Sequence, residues 1–158
     1  MATIYEAIEK DHEKHRDLLN RLAETSGDSE ERRSLWHDFY YDVKSHAAAE
    51  EETFYSKLME RPDGQDDARH SVSEHKEMDD ILEELNSMGF DNPGWLTRFK
   101  TLKHDYEHHI EEEEEDIFAK AREVIPDDES PAFAERFEKR KAAELKLVDK
   151  KAAESLEE

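Results

Sequence analysis

Two segments of the chain place a glutamate four residues after a histidine: His46-x-x-x-Glu50 and His109-x-x-x-Glu113. Side chains four apart share one helix face, so each pair can aim an imidazole and a carboxylate at one point. Two further histidines stand upstream at a fixed interval, His12 34 residues before His46 and His75 34 residues before His109. Sliding the sequence along itself by 63 residues lays His12 on His75, His46 on His109, Glu50 on Glu113 and Glu51 on Glu114. The apolar frame travels with them, Leu19 onto Leu82, Leu22 onto Leu85, Trp36 onto Phe99 and Tyr55 onto Phe118. A duplicated plan of this kind implies one shared site. Its candidate metal donors are His12, His46, Glu50, His75, His109 and Glu113. Carboxylates can bridge two cations while imidazoles fill the outer positions. The mixed nitrogen and oxygen set suits iron, with zinc, copper and nickel as alternatives. Helical bundles hold di-iron sites of related design, there with a Glu-x-x-His pattern.

The elements that must carry these donors are legible from punctuation and period. All four glycines and all four prolines fall in short gaps around Gly27, Pro62–Gly64, Gly89–Gly94 and Pro126–Pro131. The breaker-free segments between them, roughly 2–24, 30–60, 67–88, 94–123 and 131–156, are rich in Glu, Lys, Ala and Leu and favour helix. Each of the first four carries one apolar stripe at helical spacing: Ile4, Ile8, Leu19 and Leu22; Trp36, Phe39, Val43 and Phe54; Val72, Met78, Leu82 and Leu85; Phe99, Leu102, Tyr106 and Ile117. The donors interrupt these stripes near their middles, where an unpartnered imidazole or carboxylate is costly. The expected fold is therefore all-α, an antiparallel up-down four-helix bundle made of two duplicated helical hairpins. Residues 1–125 form the bundle and 126–158 a C-terminal helical extension. Phe133, Phe137, Leu145 and Val148 in that extension offer a surface for docking on the bundle or for self-association.

Composition narrows the rest. The 158 residues carry a formal net charge of -21 and no cysteine. The charge disfavours nucleic acid and anionic membrane as partners. The absent thiols remove disulfides, iron–sulfur clusters and thiol nucleophiles. No apolar signal region opens the sequence and no stretch approaches transmembrane length, so a cytoplasmic location is expected.

The segments DHEKHRDLLNRL, SHAAAEEETFY, SEHKEMDDILEEL and HHIEEEEEDIFAKAR resemble the four helices of hemerythrin-like HHE domains, over about residues 4–123. The resemblance implies two non-haem iron ions bridged by oxygen and carboxylates. It also implies a protein that senses or reacts with oxygen, peroxide or nitric oxide, with catalase-like activity among the options. An iron-binding or oxygen-binding module without turnover, and a metal-free helical interaction protein, are the competing classes. Oxygen-carrying members place two histidines four apart on the third helix, whereas Ser71 and Asp79 flank His75 here. That departure speaks against oxygen storage. The carriers also place the fourth-helix carboxylate five residues after its histidine, which selects Glu114, while the internal repeat selects Glu113.

The remaining histidines divide by position. His15 lies on the first stripe, one turn past His12, where it can support a ligand from behind. His70 and His104 each precede a candidate donor by five residues, about 140° round the helix, and face outward. His37 and His108 lie beside their stripes. Tyr5, Tyr40, Tyr55 and Tyr106 read as aromatic core or rim.

Overall fold

The computed structural model describes residues 2–157 and contains five long helices among them. Helix α1 runs over Ile4–Ala23. Helix α2 comprises Glu30–Glu50, a widened turn at Glu51–Tyr55 and a last stretch Ser56–Leu58. Helix α3 spans Pro62–Ser87. Helix α4 comprises Trp95–Glu112, a widened turn at Glu113–Ile117 and Phe118–Val124. Helix α5 covers Ser130–Glu157.

Local chemistry sets the boundaries. Thr3 opens α1 with a capping box, its hydroxyl accepting from Glu6 N–H while the Glu6 carboxylate accepts from Thr3 N–H. Ser29 caps α2 in the simpler way. Gly27 supplies the left-handed backbone of the first connection, at φ 62°. The sequence placed the start of α3 near residue 67; it begins at Pro62 instead. Proline lacks only an N–H that the first turn does not use. Gly64 then fits inside the helix because a Cβ there would lie 2.6 Å from the Leu58 carbonyl oxygen.

Two apolar clusters fill the interior, and the histidines lie between them. One gathers Leu19, Leu22, Trp36, Phe39, Leu82, Trp95 and Phe99, and the other Ile4, Ile8, Phe54, Tyr55, Phe118 and Phe137. Along α1 the chain passes from the second cluster through His12 to the first, and along α2 it passes back. The same alternation recurs in α3 and α4. The stripes behave as their periodicity predicts, Val72 alone being only partly buried. Helix α5 docks on α1 and α2, burying Ala134 and Phe137 completely enough to join the second cluster. Phe133 packs against this second cluster and Val148 against the first, whereas Leu145 and Leu147 are exposed.

Candidate metal centre

The structure brings the six sequence-predicted donors together in the layer between the clusters. His12 comes from α1, His46 and Glu50 from α2, His75 from α3, and His109 and Glu113 from α4; all six are buried. One donor atom each from His12, His46, Glu50 and Glu113 lies within 4.8 Å of the others, and the same holds for His75, His109 and Glu113. The two groups share Glu113. Glu50 also approaches both, with Oε1 2.7 Å from His46 Nε2 and 3.8 Å from His75 Nε2. His12 Nε2 lies 3.3 Å from Glu113 Oε1, and His109 Nε2 3.5 Å from Glu113 Oε2.

All four imidazoles point Nε2 inward and rest Nδ1 on an outer carboxylate. His46 Nδ1 is 2.7 Å from Asp11, His109 Nδ1 2.9 Å from Glu74, His12 Nδ1 3.1 Å from Glu114 and His75 Nδ1 3.2 Å from Glu51. The 63-residue shift maps Asp11 onto Glu74 and Glu51 onto Glu114, so the outer ring obeys the same duplication. A carboxylate behind an imidazole fixes the ring and makes its free nitrogen a better donor. Glu113 and Glu114 thus both belong to the site, at different depths. The widened turns begin at the inner or outer glutamate of each half: the Ser56 N–H bonds back five residues to Glu51, and the Phe118 N–H to Glu113. Such turns rotate the following residues relative to a regular helix, and they recur at functional sites.

The electrostatics are those of a donor set in need of a cation. Burial pushes the Glu113 carboxyl up, the charge of Glu50 adds to it, and the result is about 8. Glu50 moves the opposite way: burial is outweighed by the charge of His46 beside it, which holds it well below the usual carboxylate range. Burial alone would lower His46, but Glu50 and Asp11 outweigh it and hold the imidazole up at about 10. His46 Nε2, Glu50 Oε2 and Glu113 Oε1 are buried without an aligned hydrogen bond. Buried polar atoms rarely go unpartnered, and each costs about 1–3 kcal/mol when they do. Metal ions between the imidazole pairs would satisfy all three atoms and neutralise the two carboxylates, so the residues present fit the group.

Residues 3–121 match the Hemerythrin HHE cation binding domain family. The chain belongs to this family. A solved structure, the Hemerythrin HHE cation binding domain-containing protein that is the Rv2633c homolog from Mycobacterium kansasii, superposes with a TM-score of 0.80 at 25% identity. The match covers 94% of this chain and 93% of that one. A curated relative from Nostoc sp., named DNA nickase, is 28% identical over 144 residues. That match takes in 91% of this chain, which spans only 40% of the relative's length. Both likenesses exceed what residues 3–121 can supply, so they include part of α5.

Around the HHE donor set the duplication ends, and here sequence reasoning saw least. His15 is fully buried but belongs to neither donor group; its Nδ1 is 2.7 Å from the Tyr106 hydroxyl and its Nε2 2.6 Å from Asp42. Burial drives this imidazole down to about 4. Its ring stands edge-on to His46, 5.1 Å between centroids. Lys141 of α5 reaches 3.0 Å from both Asp11 and Asp42, linking α5 to the ring behind His46. Tyr55 donates its phenol hydrogen to Glu113 Oε2, while Phe118, its counterpart in the repeat, has no hydroxyl for Glu50. Asp79 lies outside, paired with Lys44. Ser71, one turn before His75, is fully buried with an unpartnered hydroxyl. His37, His104 and His108 are exposed, as their positions beside the stripes imply.

Proposed function

We propose that this HHE protein holds two iron ions in its buried donor set and uses them to sense or react with oxygen, peroxide or nitric oxide. The observation that carries this reading is the pair of donor groups overlapping at Glu113, flanked by imidazoles that are each backed by a carboxylate. Iron held there supplies a redox-active Lewis acid with changeable coordination.

The chain's own residues set how that chemistry is used. His12 and His46 would hold a metal ion in one half, and His75 and His109 in the other; Glu50 and Glu113 lie between the two imidazole pairs and would contribute to both. Ser71 offers no third imidazole beside His75, so each half holds two imidazoles and leaves room for an outside ligand. A cleft of about 890 Å³ between α2, α3 and α5 reaches His46, His75 and Tyr106, and Val43, Met78 and Leu82 line it. Charged side chains, Lys44, Glu51, Asp79 and Glu83 among them, line it too, and the net charge of -21 opposes anions. The Tyr55 phenol keeps one Glu113 oxygen hydrogen-bonded and so distinguishes the two bridging carboxylates. These features favour reaction over storage. The net charge of -21 also disfavours nucleic acid as a partner. The alternating order of the two apolar clusters supports an antiparallel up-down arrangement of α1–α4. No helix among the described residues is long and apolar enough to cross a membrane.

Protein made in iron-replete medium is expected to carry about two irons per chain. Its oxidised form should absorb in the near ultraviolet through charge transfer to iron. Stopped-flow mixing of the reduced protein with oxygen and with peroxide then tests reactivity. A single tightly held zinc would overturn the di-iron reading. Reversible oxygen binding with no peroxide turnover would overturn the reactive one alone.

A further inference from the structure

The duplicated plan gives the bundle two equivalent faces, and among the described residues α5 packs on one of them, against α1 and α2. Under α5, Ala7, Ser45 and Ala49 are small and buried. The 63-residue shift takes these three positions to His70, His108 and Glu112 on α3 and α4. There the surface is open, with His70 55% and His108 69% exposed. The residues that replace the small ones are not a random polar set. His70-x-x-x-Glu74 and His108-x-x-x-Glu112 repeat the spacing of the buried pairs, here facing outward on α3 and α4.

Three of the four side chains, His70, Glu74 and Glu112, converge across the α3–α4 seam, and His108 stands beside Glu112. His70 Nε2 lies 3.1 Å from Glu112 Oε1 and 3.5 Å from Glu74 Oε1. His108 Nε2 approaches Glu112 Oε2 at 3.8 Å. One donor atom each from His70, Glu74 and Glu112 falls within 4.8 Å of the others.

A second observation comes from the covered face. Asp11, the carboxylate behind His46, receives the Lys141 ammonium at 3.0 Å. Its repeat partner Glu74 stands behind His109 in the same way, 2.9 Å from Nδ1, but meets the imidazole of His70 where Asp11 meets a lysine. On the open face the carboxylate that matches Asp11 therefore has an imidazole beside it and no ammonium.

We propose that His70, Glu74 and Glu112, with His108 one turn before Glu112, form a second, surface site for a divalent transition-metal ion on the α3–α4 face. Two imidazoles and two carboxylates match zinc, cobalt or ferrous iron and disfavour magnesium and calcium, which take oxygen donors. The acidic surface concentrates dications near it. Glu74 would then touch the surface ion on one side and the His109 ring on the other.

The test is calorimetric titration of zinc into iron-loaded protein, with iron measured before and after. Wild type is expected to take up one zinc per chain without releasing iron. The His70→Ala, His108→Ala double variant should lose that uptake and keep its iron, because both residues are exposed and outside the buried set. Excess magnesium should not displace the zinc, and zinc-soaked crystals should show an anomalous peak between α3 and α4. No zinc uptake by wild type, or equal uptake by the double variant, would overturn the site. The difference between the two proteins reads the surface site whatever the buried centre holds.

Discussion

At the scale of single residues, each inner imidazole is held from behind by a carboxylate on a neighbouring helix. The imidazoles and inner glutamates were legible because they interrupt apolar stripes at helical spacing. Asp11 and Glu74 were not. Each directly precedes a candidate donor, about 100° round its own helix, and gains its role only by reaching a histidine of the next helix. Their function is tertiary, and no local pattern carries it. Replacing such a partner typically costs 10- to 100-fold in metal affinity, so Asp11→Asn and Glu114→Gln are expected to weaken iron binding by about that much. His46→Ala or His109→Ala should lose metal more severely, and His37→Ala should retain it. Competition against a chromophoric chelator ranks them; equal affinity in Asp11→Asn and wild type would reduce the outer ring to ordinary hydrogen bonding. Tyr55→Phe probes the broken symmetry, since Phe118 already occupies the matching place. It should fold and keep its metal while the charge-transfer spectrum shifts. An unmoved spectrum would leave Tyr55 as core alone.

At the scale of elements, the five helices and most of their faces followed from breakers and period, but two features did not. The widened turns carry no residue signature, because an extra residue in a helical turn is set by what the side chains beyond it must reach. Their trace in the sequence was the tension between four-residue and five-residue spacing at Glu113 and Glu114. The second feature was the role of α5. Its apolar residues were visible, yet only the structure shows Phe137 5.4 Å from the His46 ring and Lys141 on Asp11 and Asp42. Helix α5 thereby closes the HHE bundle over the His12 and His46 half. Phe137 is fully buried, so Phe137→Ala should cost about 3–5 kcal/mol in urea denaturation. The loss should be accompanied by weaker iron retention, because the cavity opens beside His46. A stability loss with unchanged retention would separate α5 from the site.

At the scale of the whole molecule, four helices converge on ionisable groups whose charges either bound protons or a metal cation would balance, and stability should record this as a function of pH. In the metal-free chain His46 is held up at about 10, whereas an unfolded imidazole titrates near its ordinary 6.5. The stability from that proton is full below about 6.5 and is lost as pH rises toward 10. Glu113 is pushed up to about 8 from an ordinary 4.5, so its contribution is also lost as pH rises, between those values. Both groups thus destabilise the metal-free fold between pH 6 and 9. On the acid side His15, driven down to about 4, contributes stability above about 6.5 that disappears as pH falls through 4. Metal ions reverse the alkaline trend, because they bind deprotonated imidazole and carboxylate and their affinity climbs with pH. A ligand at 100 times its dissociation constant stabilises by about 2.7 kcal/mol. The melting temperatures of iron-loaded and chelated protein are therefore expected to diverge from pH 6 to pH 9, the chelated form falling. Scanning calorimetry at both pH values measures the gap. A constant gap, or a chelated protein that grows more stable with pH, would show that the buried charges are not balanced by metal.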